Sequence, residues 1–290
     1  MNNLKITIII SVYNKLKQLK NILMALNDQE KLPFEVIIVD DGSNEKIEEK
    51  LEETIKKLDY KLIHIWQEDI GFRVAASRNN GILQAKGDYI LFLDQDVLFD
   101  TNFLKEIEKN IKDKEVLKMR AIYLDKERTD KINEFIFQDK KIDFKKIKEC
   151  LTEEEYKHIK KRYKDDTIKN ILFKFGLRKR AARLVSLGFG AFKKDLLKVN
   201  GFDEKYEGWG GEDHDLGNRL NALGLKYRTL NPQNIIIHMW HPILSGKSVN
   251  DEYFMKQEKI ILKEKKYKCF YGCDNRLRKE KLIIKELTKK

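Results

Sequence analysis

The chain has only three cysteines, Cys150, Cys269 and Cys273, and three prolines in 290 residues. So few thiols cannot staple a fold together, and they suit a reducing compartment. Cys269 and Cys273 lack a second Cys/His pair at ligand spacing, which argues against a zinc site. No apolar run approaches the ~20 residues of a membrane-spanning helix. The opening residues lead into a short apolar run that reads as a strand rather than a signal peptide. Neither a GxGxxG nor a GxxxxGK[ST] loop is present, so a phosphate would have to be neutralised by a metal and cationic side chains. Internal repeats and low-complexity linkers are also missing. The expectation is a cytoplasmic chain that could meet a membrane only peripherally.

What is present is a hydrophobic content of 41%, enough for a real core, and an excess of cations. Lys and Arg number 59 against 47 Asp and Glu, giving a net charge of +12. Such a field favours nucleotides, acidic glycans, nucleic acid or an anionic membrane without choosing among them. A lysine-rich, proline-poor bias produces the same excess, so the charge carries half weight.

The pattern is organised around residues 88–97. Tyr89, Ile90, Leu91, Phe92 and Leu93 read as a strand buried on both faces, ending in Asp94-Gln95-Asp96. In an extended chain the i, i+2 spacing points both carboxylates the same way. A hard divalent cation asks for that arrangement; an acidic turn or helix cap is the plainer alternative. Upstream, strands over 6–10, 36–39 and 62–66 alternate with helical patterns over 16–26, 45–58 and 74–85. This predicts an α/β fold with a doubly wound, mostly parallel sheet flanked by helices. Parallel strands share direction, so Asp40-Asp41 and Asp94/Asp96 should meet at one sheet edge. A nucleotide would sit there, with Asp40 and Asp41 near its base and ribose.

From 125 to 183 the sequence is dense in Lys, Glu and Asp and reads as a helical insertion. It either covers one edge of the core or offers a surface to an acidic acceptor or to anionic lipid head groups. Core-like sequence returns and leads into Gly208-Trp209-Gly210-Gly211-Glu212-Asp213, followed by a helix with Leu216, Leu220 and Leu223. Anions in a first turn suit the helix dipole, but a cap needs neither Trp209 nor three glycines. A last strand over 235–237 ends in His238-Met239-Trp240-His241, whose two histidines, taken alone, read as ordinary core or surface histidines. A helix over 251–264 and a basic, amphipathic tail complete the chain. The expected boundaries are 1–124, 125–184, 185–245 and 246–290, the last a helical basic extension.

Ser11-Val12-Tyr13-Asn14, Val39-Asp40-Asp41-Gly42-Ser43, Ala76-Ser77-Arg78-Asn79 and Asp94-Gln95-Asp96 together resemble the inverting family 2 glycosyltransferases of GT-A, Rossmann-like fold. Gly208-Trp209-Gly210-Gly211-Glu212-Asp213 is similar to the β-1,4-galactosyltransferase C-terminal module and to bacterial chondroitin-type polymerases. The resemblance covers roughly 6–103 and 184–242, leaving out the insertion and the tail. It implies that Ser11, Tyr13 and Asp41 contact a uridine, that Asn14, Asp40, Gln95 and Gly211 help shape the donor site, and that Arg78 lies near the diphosphate. Asp94 would face ribose and metal, with Asp96 a direct metal ligand and His241, or His238 with it, completing the set. Trp209 and Glu212 would shape the sugar and acceptor site, and Asp213 would be the catalytic base. Gln95 departs from the small residue usual between the two aspartates. Arg73 and Lys247 are further cations within expected reach of phosphates. The implied cofactor is Mn²⁺, or Mg²⁺ in its place. The implied reaction moves a sugar from a UDP-sugar to a hydroxyl of a glycan or lipid-linked acceptor in surface polysaccharide synthesis, with inversion. The basic tail would suit peripheral contact with an anionic inner leaflet. Carboxylates at the site speak against nucleic acid. The competing readings are a metal-dependent nucleotidyltransferase and an inactive glycan-binding module.

Overall fold

Runs of β-branched and aliphatic residues form the central strands of the computed structural model, which describes residues 4–185, 187–242, 249–279 and 281–288. Strands β1 (Ile6–Val12), β2 (Glu35–Asp40), β3 (Leu62–Trp66) and β4 (Tyr89–Asp94) lie parallel, in the order β3-β2-β1-β4. Helix α1 (Leu16–Asn27), the short α2 (Ile47–Lys50) and α3 (Glu52–Ile55), and α4 (Val74–Gln84) connect them. The single helix expected over 45–58 is therefore interrupted at Leu51.

Beyond β4 come β5 (Val97–Leu98), α5 (Phe103–Asn110), β6 (Glu115–Lys118) and β7 (Ala121–Tyr123). The charged segment then forms α6 (Lys126–Asp139), α7 (Phe144–Lys148) and α8 (Glu153–Lys174). A capping box between Thr152 and Glu155 fixes the start of α8. The second half supplies β8 (Gly188–Phe192), α9 (Lys193–Lys198), α10 (Glu212–Ala222), β9 (Lys226–Thr229), β10 (Ile236–His238), α11 (Asp251–Glu264) and β11 (Ile283–Glu286). The main sheet runs β11-β3-β2-β1-β4-β8-β6-β9, and β5-β10-β7 form a small second sheet. Strand β8 joins β4 and β6 antiparallel, while β6 and β9 are parallel. The sheet is thus mixed but mostly parallel.

Strand alternation divides the core between the two faces of the sheet. Ile8, Ile10, Ile38 and Leu91 pack with α1 on one face, and Ile9, Ile37, Val39, Ile90 and Phe92 pack with α4 and α10 on the other. Gly81 explains how closely α4 lies on the sheet, since a Cβ there would stand 2.9 Å from Ile9 Cδ1 and Val39 Cγ1. Among the described residues no helix is long and apolar enough to cross a membrane.

Asp166 ties α8 to the sheet. It accepts two hydrogen bonds from Arg120 at 2.7 and 2.6 Å, lies 3.1 Å from Lys118 Nζ, and accepts a bond from Thr229 Oγ1 at 3.2 Å. Burial pushes the Asp166 carboxyl up, but its cationic partners hold it below its ordinary value. Burial likewise lowers the Lys118 amine to about 8, a shift that the shared Asp166 only partly opposes.

The tail departs from its helical expectation after Glu264. Residues 269–278 form an irregular clasp, and β11 then pairs antiparallel with β3. Asn200 Nδ2 donates to the Cys269 and Phe270 carbonyls, and Asn200 Oδ1 accepts from Asp274 N at 2.6 Å. Arg276 pairs with Glu204 at 2.6 Å and donates to Asn80 Oδ1 and to the Ala76 carbonyl on α4. Gly272 sits so close that a Cβ would lie 1.8 Å from the Asn200 carbonyl oxygen. Every residue of β11 stays about half-exposed, and Lys285 and Glu286 pair with Glu48 and Lys61 along its edge.

Candidate active site

Strands β1, β2 and β4 run together, so their C-terminal ends open on one edge, where Ser11 stands opposite Asp94 and Val12 opposite Asp40. Helix α4 lays Arg78 across that edge, buried. Its Nε donates to Ser11 Oγ at 3.1 Å and its Nη1 to Glu212 Oε1 at 3.1 Å, while Nη2 lies 3.5 Å from Asp94 Oδ1. The guanidinium carbon sits 5.3 Å from the Phe202 ring centroid. One cation therefore joins the first-half strand ends to the second-half helix α10. Burial and the neighbouring Asp213 push the Glu212 carboxyl up, with Arg78 opposing. Burial also raises Asp94, again against Arg78.

Next to this pair lies a compact donor cluster. One ligand atom each from Asp96, His238 and His241 falls within 4.8 Å of the others. The small sheet brings them together: His238 pairs with Val97, and Met239 N donates to the Asp96 carbonyl at 2.9 Å. His238 Nε2 approaches Asp96 Oδ1 at 3.3 Å, and His241 Nε2 approaches Oδ2 at 3.1 Å. Asp96 is buried, yet its Oδ1 makes no well-formed hydrogen bond among the described residues. A buried carboxylate with an orphan oxygen, faced by two imidazole nitrogens, fits a divalent first-row ion such as Mn²⁺. Lys15 Nζ comes within 3.5 Å of Asp96 Oδ2. Lys15 and Asn14 are both left-handed at φ 55°, a conformation that asparagine tolerates and that costs lysine roughly 1–2 kcal/mol. Tyr123, opposite His238 on β7, places its ring centroid 4.8 Å from the imidazole.

The loop before α10 is shaped by Gly208, Gly210 and Gly211 at φ 81°, 99° and 97°. Gly208 N donates to the Phe72 carbonyl at 2.8 Å, Asn250 Nδ2 donates to the Gly210 carbonyl at 2.8 Å, and Gly211 faces the Tyr206 ring. The turn leaves Trp209 57% exposed beside the opening of α10. Asp213 Oδ1 accepts a hydrogen bond from His214 N at 2.7 Å.

At the outer end, half-exposed Tyr13 donates to Asp69 Oδ2 at 3.0 Å. Asn14 N donates to Ser43 Oγ, and Asn14 Oδ1 accepts from Asn44 N, cross-linking the loops after β1 and β2. Asp41 accepts from Gln67 Nε2 and Arg73 N, both at 2.6 Å. Asp40 is 1% exposed, accepts from Ser43 N at 2.8 Å and faces His64 Nε2 at 3.0 Å. Arg73 is also buried, donating to the Glu68 carbonyl within its own loop. Gln95 is buried with Oε1 unpartnered among the described residues, and Lys247 lies outside the described residues. Sequence reasoning missed Lys15 and Tyr123. Neither belongs to a local motif, and both reach the cluster only through loop geometry and the small sheet.

The model of glycosyl transferase family 2 matches residues 7–183, and that described as the N-terminal domain of galactosyltransferase matches residues 167–242. Chondroitin synthase of Escherichia coli is 32% identical over 235 residues, a match covering 78% of this chain and 33% of the relative. Chondroitin synthase of Pasteurella multocida is 30% identical over 249 residues, covering 79% and 24% respectively. The chain thus spans a quarter to a third of these relatives' length. Among solved structures, Staphylococcus aureus TarS 1–349 in complex with UDP-GlcNAc aligns with a TM-score of 0.59 at 16% identity, covering 93% of this chain and 68% of that one. A mannosyltransferase from Pyrobaculum calidifontis in complex with GDP-Man and Mn²⁺ aligns at 0.54 and 14% identity, covering 82% and 57%. At such identities the likeness concerns the fold, the mixed α/β sheet of GT-A enzymes.

Proposed function

Because the chain belongs to glycosyltransferase family 2 and carries a galactosyltransferase-like module in its second half, we propose that it is an inverting, metal-dependent hexosyl- or N-acetylhexosaminyltransferase. Its donor is a UDP-sugar and its acceptor a hydroxyl of a glycan or lipid-linked oligosaccharide in surface polysaccharide synthesis. The single observation carrying this reading is Arg78, which touches Ser11, Asp94 and Glu212 at once and so joins a nucleotide edge to an acceptor edge. On this reading residues 1–124 hold the donor, 185–245 the acceptor, and 125–184 and 246–290 are an insertion and an extension. The protein works in the cytoplasm, at the inner face of the membrane.

Ser11, Tyr13, Asn14 and Asp41 hold the nucleoside, with Gln95 beneath it. Arg78 lies beside the diphosphate. Asp96, His238 and His241, with Asp94 beside them, are placed to hold a divalent cation, which when bound offsets the charge of the departing diphosphate as a Lewis acid. Trp209 and Gly211 wall the sugar, and Glu212, steadied by Arg78, orients the hydroxyl. An alcohol is a weak nucleophile and needs a base within reach. Asp213 takes its proton as the oxygen bonds to the anomeric carbon, and the bond to the diphosphate breaks with its electron pair leaving on UDP. One displacement on the opposite face turns an α-linked donor into a β-linked product.

The test is a UDP-sugar panel with acceptor oligosaccharides under Mn²⁺, Mg²⁺ and EDTA. One donor should be turned over with metal and not with EDTA. Asp213→Asn should lower turnover by about 10²–10⁴-fold while UDP–Mn²⁺ binding persists. Full turnover by Asp213→Asn, or no UDP binding by the wild type, would overturn the assignment.

A further inference from the structure

Helix α8 presents two opposite faces to two different surroundings. Ile159 and Asp166 are buried and Phe173 packs against the core, a line recurring every seven residues. At 3.6 residues per turn, Ile168, Ile171, Leu172 and Phe175 stand on the opposite side, about 180° away. That outward side should be polar, yet Ile168 is 55%, Ile171 49% and Phe175 68% exposed, and Leu177 just beyond is 73% exposed. Lone exposed apolar residues are ordinary, but a contiguous i, i+3, i+4, i+7 stripe is not.

The charge around the stripe says what covers it. Residues 160–183 hold ten Lys and Arg against two Asp, and one of those two, Asp166, is already neutralised inside. Lys164, Lys169, Lys174, Arg178 and Lys179 surround the stripe, with no ion pair to any described residue. A protein partner would need a matching acidic, apolar groove; an anionic bilayer offers both chemistries over any area. We propose that the C-terminal two turns of α8 and the turn after it are a monotopic membrane contact, with the apolar stripe entering the interface of an anionic leaflet and the cations resting on its head groups. This deepens the reading above, since it names the surface that brings the enzyme to a lipid-linked acceptor. Asp166 lies roughly 14 Å along the helix from Phe175, so the contact is rigidly tied to the sheet that carries the site.

The experiment is sedimentation of the 290-residue chain with phosphatidylglycerol/phosphatidylcholine vesicles and with phosphatidylcholine alone, at low and high salt. Binding should require the anionic lipid and weaken with salt. The double variant Ile171→Glu/Phe175→Glu should bind at least about tenfold more weakly, with an unchanged melting temperature and unchanged UDP–Mn²⁺ affinity. Equal binding by the double variant would place the contact elsewhere and overturn the proposal. So would a stripe-dependent dimer that the double variant dissociates, or no binding to anionic vesicles at all. Vesicle binding in a protein that fails to bind UDP–Mn²⁺ would instead sink the transferase reading and leave this contact standing.

Discussion

Replacing Arg78 by methionine keeps the volume of the side chain on α4 and removes its charge. Buried Glu212 and the partly exposed Asp94 then lose their common counter-ion. Their contributions differ: the Glu212 side chain is 10% exposed and hydrogen-bonded at 3.1 Å, whereas that of Asp94 is 31% exposed and 3.5 Å away. The Asp94 contact is therefore screened and minor, and most of the loss falls on Glu212. Removing one partner of a buried pair costs about 3–5 kcal/mol, a large share of the ~5–15 kcal/mol that holds a typical domain. For a chain of this size that lowers the melting temperature on the order of 10 °C. The double variant Arg78→Met/Glu212→Gln removes the stranded charge and should recover roughly 1–3 kcal/mol as the coupling of a double-mutant cycle. Arg78→Lys should rescue little, because an ammonium cannot reach Ser11, Asp94 and Glu212 in one plane. Thermal and urea unfolding in EDTA read the stability, and UDP titration with Mn²⁺ reads the site. A single variant within 1 kcal/mol of wild type, or a double variant no better than the single, would refute the assignment of Arg78 as the tie between the two halves.

Three further outcomes follow from the geometry. Mn²⁺ at about 100 times its Kd should stabilise the wild type by about 2.7 kcal/mol, and Asp96→Asn or His241→Ala should abolish that gain in a thermal shift assay. Gly272→Ala drives a Cβ into the Asn200 carbonyl, so the free energy of urea unfolding should fall by about 1–3 kcal/mol or more; an unchanged value would show that the clasp yields freely. Lys118 gives up its proton near pH 8 in the fold but only near its ordinary value when unfolded, so between those values the unfolded chain holds more protons and stability rises with pH. Relative to Lys118→Met, the wild type should therefore gain up to about 3 kcal/mol from pH 7.5 to 10 in urea unfolding. Parallel pH profiles for the two proteins would rule this out.

The strands that frame the site were legible because Ile6–Val12 and Tyr89–Asp94 are buried on both faces and carry no competing period. Strand β11 was not, because Ile283 and Ile284 sit exposed at a sheet edge within a lysine-rich stretch, where an amphipathic helix reads equally well. Asp40 looked like its neighbour Asp41 on paper. Only the pairing of β2 and β3, which brings His64 beside it, shows that its carboxylate is internal. The closeness of Asp96 to the two histidines rests on a two-residue strand, β5, too short to leave a periodic signal. Lys15 reaches Asp96 by following Asn14 into the left-handed region, a conformation that asparagine favours but lysine does not.

The last strand has a consequence for how the chain is made. Leu62 N finds its partner in Thr288, 226 positions later, and the rest of β3 waits equally long for β11. At roughly 5–20 residues per second, ribosomal synthesis leaves that edge open for on the order of ten to forty seconds. Throughout that interval the half-made sheet offers unpaired backbone groups beside Ile63 and Ile65, a ready template for a neighbouring nascent chain on the same message. The exposure of that edge during synthesis therefore depends on how quickly translation passes the insertion and delivers the closing strand, a matter of codon tempo that the finished protein's stability does not touch.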